Sequence, residues 1–287
     1  MDKKIVAIIY DFDKTLCDQD MQNYTFIPNL DMTPKEFWSE IGDFSKSENM
    51  EGILSYLYYM VKKSNEKGLP ITKEYLASMG KDVHLYQGVE DWFVRINQFA
   101  KEQGVILEHY IISSGIKDIM ASTSIAKHFK AIYGCDFYYD EEGKAVWPKI
   151  AINFTGKTQY LYKINKGILD ETDSTEVNKK YKEKRIPFKN MIYIGDGLTD
   201  IPCMTMLKKA GGKSIGIYTQ KNKAQVQQFL IDDRINYICP ANYKENSYLD
   251  RIIKLIIRAL SLVSELEELE EKQTAEAENK LSNKDEK

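Results

Sequence analysis

Ile5, Val6, Ala7, Ile8, Ile9 and Tyr10 form a nearly unbroken apolar run, rich in β-branched side chains, that ends on Asp11-Phe12-Asp13-Lys14-Thr15. A short run with no polar alternation predicts a strand buried on both faces, the kind found in parallel sheets covered by helices. This restricts the chain to an α/β architecture. It also says where chemistry can sit, because ligands of open α/β sheets bind outside the carboxyl ends of the strands. Alternate residues of an extended segment project to one side, so Asp11 and Asp13 can share a pocket while Phe12 turns away. Alone, Asp-x-Asp after a strand is weakly specific: solvated loop acids, calcium loops and receiver-type phosphoacceptors carry it too.

Three further segments narrow the choice. His109-Tyr110-Ile111-Ile112 leads into Ser113-Ser114-Gly115, and Ile116, Ile119, Met120, Ile125 and Phe129 then predict a helix, placing a hydroxyl at a strand-to-helix junction. Such a junction presents free backbone N–H groups to an anion. Thr155-Gly156-Lys157 heads a segment with Tyr160, Leu161 and Ile164 at helical spacing, which sets an ammonium, a point charge suited to phosphate, near a helix start. Met191 to Ile194 reads as another strand, running into Gly195-Asp196-Gly197-Leu198-Thr199-Asp200, where the glycines permit a tight turn between acids. Hard oxygen ligands of this kind are what magnesium requires.

These four pieces, in this order, resemble the haloacid dehalogenase superfamily of phosphohydrolases, most closely its phosphoserine-phosphatase-like branch, over residues 4 to about 240. The resemblance implies a Rossmann-like parallel sheet core with a helical C1-type cap and a small β-hairpin insertion. It implies Asp11 as nucleophile and Asp13 as general acid and base. Thr15, Ser113, Ser114 and Lys157 would surround the phosphate, Asp11, Asp13 and Asp196 would hold Mg²⁺, and Asp200 would support them. Ser114 stands where many relatives carry glycine, which changes the shape beside the phosphate without removing the backbone N–H. The expected activity is a Mg²⁺-dependent phosphatase acting on a small phosphorylated metabolite through an aspartyl-phosphate. A phosphotransferase or phosphomutase using the same intermediate is a close variant. A non-catalytic scaffold is less favoured because every catalytic position is filled.

The chemistry also follows from physics. A carboxylate attacking a phosphate dianion meets like-charge repulsion, which a divalent cation and Lys157 would offset. The leaving alkoxide needs a proton, which Asp13 can donate and later recover from water. Halide displacement needs no such proton, so dehalogenation is not expected. The P-type ATPases share the aspartyl-phosphate but need membrane spans, and no run here reaches the roughly 18 apolar residues of a spanning helix.

Residues 1–16 and 87–247 are expected to form the core, to which the chain returns at Gly88 through a helix from Val89 to Gln103, and residues 17–86 a helical cap. The cap is rich in aromatics, most of which a small helical unit needs for its own core. Tyr24 and Phe26, nearest the first acids, are the candidates for stacking on substrate, and Asp20 the candidate for meeting a cationic or hydroxyl group. No arginine occurs from Met1 through Val94, whereas serine-specific relatives clamp the substrate carboxylate with a cap arginine, so phosphoserine is not the expected substrate. Between Ser113 and Lys157, Phe137-Tyr138-Tyr139, a turn at Asp140 to Gly143, and Ala145-Val146-Trp147 read as the hairpin. The polar stretch from Gly167 to Arg185 reads as an exposed loop. Ser214 to Tyr218 and Asn236 to Cys239 read as further strands. Residues 248–287 are expected to give a C-terminal helix, with Ile252, Leu255, Ile256, Ala259, Leu262, Val263, Leu266 and Leu269 as its stripe, and a mobile charged tail. That stripe would dock on the core, or else make a homodimer.

Composition agrees with a cytoplasmic enzyme. A net charge of −3 over 287 residues gives no basic footprint for nucleic acid, and no membrane partner is expected. Met1-Asp2-Lys3-Lys4 leads into a strand too short, and too soon followed by acids, for a secretory signal. Cys17, Cys135, Cys203 and Cys239 lack metal or disulfide spacing and read as reduced thiols. His84, His109 and His128 show no ligand spacing and read as structural or exposed.

Overall fold

The computed structural model describes residues 4–170, 173–180 and 184–285. Its centre is a seven-stranded sheet in the order β4-β3-β2-β1-β5-β6-β7. The strands are β1 (Ile5–Tyr10), β2 (Ile106–Ile116), β3 (Phe129–Tyr139), β4 (Ala145–Ile150), β5 (Met191–Gly195), β6 (Lys213–Tyr218) and β7 (Tyr237–Pro240). All neighbours pair in parallel except β3 and β4. The central strands are buried as the apolar runs require: Val6 through Tyr10 and Met191 through Ile194 have no solvent exposure.

Four helices separate β1 from the returning core helix: α1 (Phe26–Asn29), α2 (Pro34–Ser47), α3 (Gly52–Glu66) and α4 (Lys73–Ser78). The start of α2 is fixed locally, since Thr33 and Glu36 exchange side-chain to backbone hydrogen bonds and Pro34 sets the first helical φ. The two passages joining this helical unit to the sheet run side by side: Cys17 bridges Leu85, and Tyr86 N–H donates to Leu16 O at 2.9 Å. At its far side Ala145 N–H donates to Ile71 O at 2.8 Å, so the unit also touches β4. Helix α5 (Val89–Glu102) then returns to the sheet, burying Val89, Trp92, Phe93, Ile96 and Ala100, one face at helical spacing. The remaining helices are α6 (Lys117–Ala121), α7 (Lys157–Lys166), α8 (Ser174–Asn178), α9 (Ile201–Lys209), α10 (Lys223–Ile231) and α11 (Tyr248–Asp285).

The structure departs from the sequence reading at three places. No long helix follows Ser113: β2 continues through it to Ile116, α6 is five residues long, and Phe129 opens β3. Ser122 and Thr123 end α6 by turning their hydroxyls onto the carbonyls of Asp118, Ile119 and Met120. The expected hairpin forms, with Phe137 to Tyr139 antiparallel to Ala145 to Pro148, but it is continuous with the core sheet. Its first strand is the second half of β3, whose first half lies parallel to β2 within the core sheet. Within the polar stretch, where a loop was expected, Ser174 to Asn178 form a helix capped by Asp173, whose side chain accepts from Glu176 N–H; Glu171, Thr172 and residues 181–183 lie outside the described residues. The expected C-terminal helix forms as α11, whose backbone is helical from Tyr248 to Asp285. Among the described residues no helix is long and apolar enough to cross a membrane.

Candidate active site

Sheet register gathers the acids. Tyr10 lies opposite Ile111 on one side and Ile194 on the other. The next residue, Asp11, therefore leaves the sheet beside Gly195 and Asp196, and its N–H donates to Ile194 O at 2.9 Å. Ser113 sits two residues beyond Ile111 on the other neighbour. Three adjacent parallel strands thus deliver Ser113, Asp11 and Asp196 to one carboxyl edge. After Asp11 the chain folds back on itself: the N–H groups of Thr15, Leu16 and Cys17 all reach Phe12 O, and Lys14 adopts a left-handed φ of 57°. The turn brings Asp13 round, where its Oδ1 accepts from Met21 N–H at 2.9 Å.

Asp200 is the hub beneath. Its Oδ1 accepts from Lys157 Nζ at 2.8 Å and Tyr193 O–H at 2.9 Å, and its Oδ2 from the N–H groups of Asp196 and Gly197 at 3.2 and 3.3 Å. Only a glycine at 195 admits this approach, since a Cβ there would lie 2.4 Å from Asp200 Oδ2. Lys157 is wholly buried and also forms an ion pair with Asp11, its Nζ 3.0 Å from Asp11 Oδ1. Burial alone would lower its pKa, but Asp11 and Asp200 together raise it, so the ammonium stays charged.

Negative charge is in excess around it. Burial first, and then Asp200, push the Asp11 carboxyl up to about 6 despite Lys157. Asp196 is driven well above the usual carboxylate range by burial and then by Asp200 and Asp11. Burial, then Asp20 and Asp11, do the same to Asp13. Asp11, Asp196 and Asp200 each offer an oxygen within 4.8 Å of the others. Hard oxygens and mutual repulsion among these buried carboxylates fit a divalent cation such as Mg²⁺. Both oxygens of Asp200 are already engaged, which leaves the side chains of Asp11 and Asp196 to hold the ion directly. The Asp13 carboxylate stands outside the cluster.

Above these groups is a cavity of about 260 Å³, floored by Asp11, Asp13, Ser113, Lys157 and Asp196 and roofed by Gln22, Trp38, Ile53 and Tyr56 from the helical unit. Ser113 Oγ accepts from Gly115 N–H at 3.1 Å, leaving its own O–H to donate. Ser113 lies inside the extended β2, three residues before the junction where the sequence had placed it. Ser114 also lines the cavity, but its hydroxyl donates to Ile152 O at 2.7 Å and its carbonyl accepts from Tyr56 O–H at 2.6 Å. These two bonds tie the roof to the floor.

Thr15 is likewise corrected. It is buried, lies off the cavity, and turns its hydroxyl toward Asp196 Oδ1 at 3.4 Å, so it orients that acid instead of contacting phosphate. The two stacking candidates do not reach the cavity. Phe26 is fully buried edge-on to Phe37, and the Tyr24 hydroxyl is tied to Asp18 at 2.5 Å beside His84. Asp20 does line the cavity, paired with Lys14 at 2.7 Å. Gln22, Trp38, Ile53 and Tyr56 were missed. Phe37 and Trp38 are adjacent aromatics on α2, and only the rotation of the helix decides that the first is core and the second is roof. Cys17, 3.8 Å from Asp13 Oδ1, is buried, and burial followed by the Asp13 charge raises its thiol pKa, so it is no reactive thiolate.

No protein-family model matches the chain. An uncharacterized protein of Borreliella burgdorferi is 25% identical over 274 residues, covering 86% of this chain and 94% of that protein. A haloacid dehalogenase family hydrolase of Salmonella enterica serovar Typhi superposes with a TM-score of 0.55 at 15% identity, over 88% of this chain and 72% of its own. A substrate-bound phosphoserine phosphatase gives 0.55 at 15% identity, over 88% and 99%. A probable phosphoserine phosphatase of Vibrio cholerae gives 0.55 at 12% identity, over 91% and 67%. The fold is therefore that of the haloacid dehalogenase hydrolases.

Proposed function

We propose that the protein is a Mg²⁺-dependent phosphatase that hydrolyses a small phosphomonoester through an aspartyl-phosphate on Asp11. The observation that carries this reading is the convergence of Asp11, Lys157 and Asp196, distant in sequence, on one small cavity, with Lys157 Nζ 3.0 Å from Asp11 Oδ1. The hydrolases and phosphoserine phosphatases that share the fold support it.

In this reading the Asp11 carboxylate attacks phosphorus and the bond to the leaving oxygen breaks. Asp13 delivers its proton to that oxygen, and its high pKa favours the protonated form needed for this. Lys157 offsets charge on the phosphate oxygens, and Ser113 O–H donates to one of them. Water then attacks phosphorus, Asp13 takes the water proton, and Asp11 is regenerated with release of inorganic phosphate. A divalent cation held by Asp11, Asp196 and the Asp13 carbonyl would supply the positive charge that lets the carboxylate approach the dianion. Cap residues Trp38, Ile53 and Tyr56 shape the space for the leaving group. The four cysteines are unpaired and buried, which supports a reducing, cytoplasmic setting.

An aryl-phosphate assay tests the mechanism. Turnover should require Mg²⁺ and vanish in Asp11→Asn, whereas Asp13→Asn should lose about 10²- to 10⁴-fold. The Asp13 loss should be smaller for an aryl phosphate than for an alkyl phosphate, whose leaving oxygen needs the proton more. Metal-independent turnover, or an active Asp11→Asn, refutes the proposal.

A further inference from the structure

Helix α11 is apolar on two opposite sides. Leu249, Ile253, Ile256 and Ile257 are buried against the core. On the same side Ser261 Oγ donates to Gln103 O at 2.7 Å and Glu267 pairs with Lys4 at 3.1 Å. Half a turn away, Leu255, Leu262, Leu266 and Leu269 are 61, 60, 67 and 55% exposed. A helix that is apolar all round is ordinarily buried all round. The exposed set is also regular: Ile252, Leu255, Ala259, Leu262, Leu266 and Leu269 follow one another at alternating spacings of three and four. That is the seam of a coiled coil, whose repeat is about 3.5 residues. Charge is segregated along it, with Arg251, Lys254 and Arg258 in the first half and Glu265, Glu268, Glu270 and Glu271 in the second.

We propose that this face of α11 pairs with the same face of a second copy, antiparallel, as a two-helix homodimer. Reversing one helix sets Ile252 against Leu269 of the second copy, Leu255 against Leu266, and Ala259 against Leu262, and the two-fold axis repeats each layer. The small Ala259 then accommodates the large Leu262. Arg258 meets Glu265 of the second copy, twice over, next to the central Ala259 and Leu262 layers. A parallel pair would instead lay the glutamates beside their own copies. The four leucines bring on the order of 800 Å² of apolar surface over two copies. With Ile252, Val263 and the stems of the charged residues, the contact reaches the roughly 1,200 Å² at which specific interfaces begin. The acidic second half also argues against an anionic lipid surface as the occupant.

Sedimentation velocity on the full chain, at micromolar to sub-millimolar concentration, tests this. The wild type should sediment at twice the chain mass. Leu262→Glu alters an exposed position, so its melting temperature as a monomer reports an intact fold, and its dimer should weaken roughly 100-fold or more. Glu265→Arg should weaken the dimer about tenfold, and adding Arg258→Glu should restore it. A monomeric wild type, or a dimer indifferent to Leu262→Glu, overturns the proposal. Failure of the double charge reversal to restore what the single one lost overturns the antiparallel register.

Discussion

Lys157 Nζ and Asp200 Oδ1 lie 2.8 Å apart, and neither side chain has any solvent exposure. A buried ion pair of this kind gains little net stability, because both charges have left water, but removing one partner is costly, and here it leaves Lys157 with Asp11 alone. Asp200→Ala would also leave Tyr193 O–H and the N–H groups of Asp196 and Gly197 without their acceptor. Urea unfolding should show the variant less stable by about 3–5 kcal/mol. A loss under about 1 kcal/mol, the scale of an exposed pair, would mean that Asp200 does not anchor the site.

The neighbouring acids carry the opposite expectation. Asp11, Asp196 and Asp200 repel one another when no cation lies between them, and the raised carboxyl pKa values of Asp11 and Asp196 reflect burial first and this repulsion second. Asp196→Asn should therefore stabilise the metal-free protein, by about 1 kcal/mol, while abolishing activity. Mg²⁺ should raise the melting temperature of the wild type and leave that of Asp196→Asn unchanged. Equal Mg²⁺ responses in the two proteins would place the ion elsewhere.

The acids were legible in the sequence because each follows a strand whose apolar run is unmistakable, and parallel register does the rest. Asp11 and Asp196 need no long-range information beyond the adjacency of β1 and β5. Ser113 was found but misplaced, since Ile116 and Ile119 satisfy a helical period equally well, and the serine and threonine bonds that stop α6 form only with the backbone in place. The roof was not legible at all. Whether Phe26 or Trp38 faces the cavity depends on how α1 and α2 pack together, and nothing local to either residue encodes that. Thr15 shows the same limit at short range: its motif position is right, yet the turn around Phe12 O aims its hydroxyl at Asp196.

Substrate choice should follow the charges that line the cavity. Among the described residues lining it, the cations are Lys157, held by Asp11 and Asp200, and Lys14, paired with Asp20 at 2.7 Å. Gln22 and Tyr56 add no charge. A carboxylate on the leaving group would be desolvated there without a partner, at a cost of at least about 1.4 kcal/mol, or tenfold. Phosphoethanolamine and phosphoserine differ by that carboxylate alone, so kcat/KM should favour phosphoethanolamine by tenfold or more. Comparable values for the two would show that a cation is recruited on closure.

Away from the site, His109 gives the fold a distinct acid sensitivity. Trp92 Nε1–H donates to Tyr10 Oη at 2.8 Å, which leaves the Tyr10 proton for His109 Nδ1 at 3.1 Å and the His109 Nε2–H for Asn97 Oδ1 at 3.0 Å. This one-way chain needs the neutral Nε2–H tautomer. Burial first, and the nearby His128 second, hold the His109 pKa down to about 3. In the unfolded chain it returns to about 6.5. Above that value the imidazole is neutral in both states and its contribution is complete. As pH falls from there toward the folded value, only the unfolded state takes up the proton, so stability declines by up to about 1.4 kcal/mol per pH unit. His109→Gln does not titrate, so the drop in unfolding free energy between pH 7 and pH 5 should be smaller in the variant by about 2 kcal/mol. Other acid-sensitive groups cancel in that difference, and an identical drop in the two proteins would show that His109 takes up its proton equally in the folded and unfolded states.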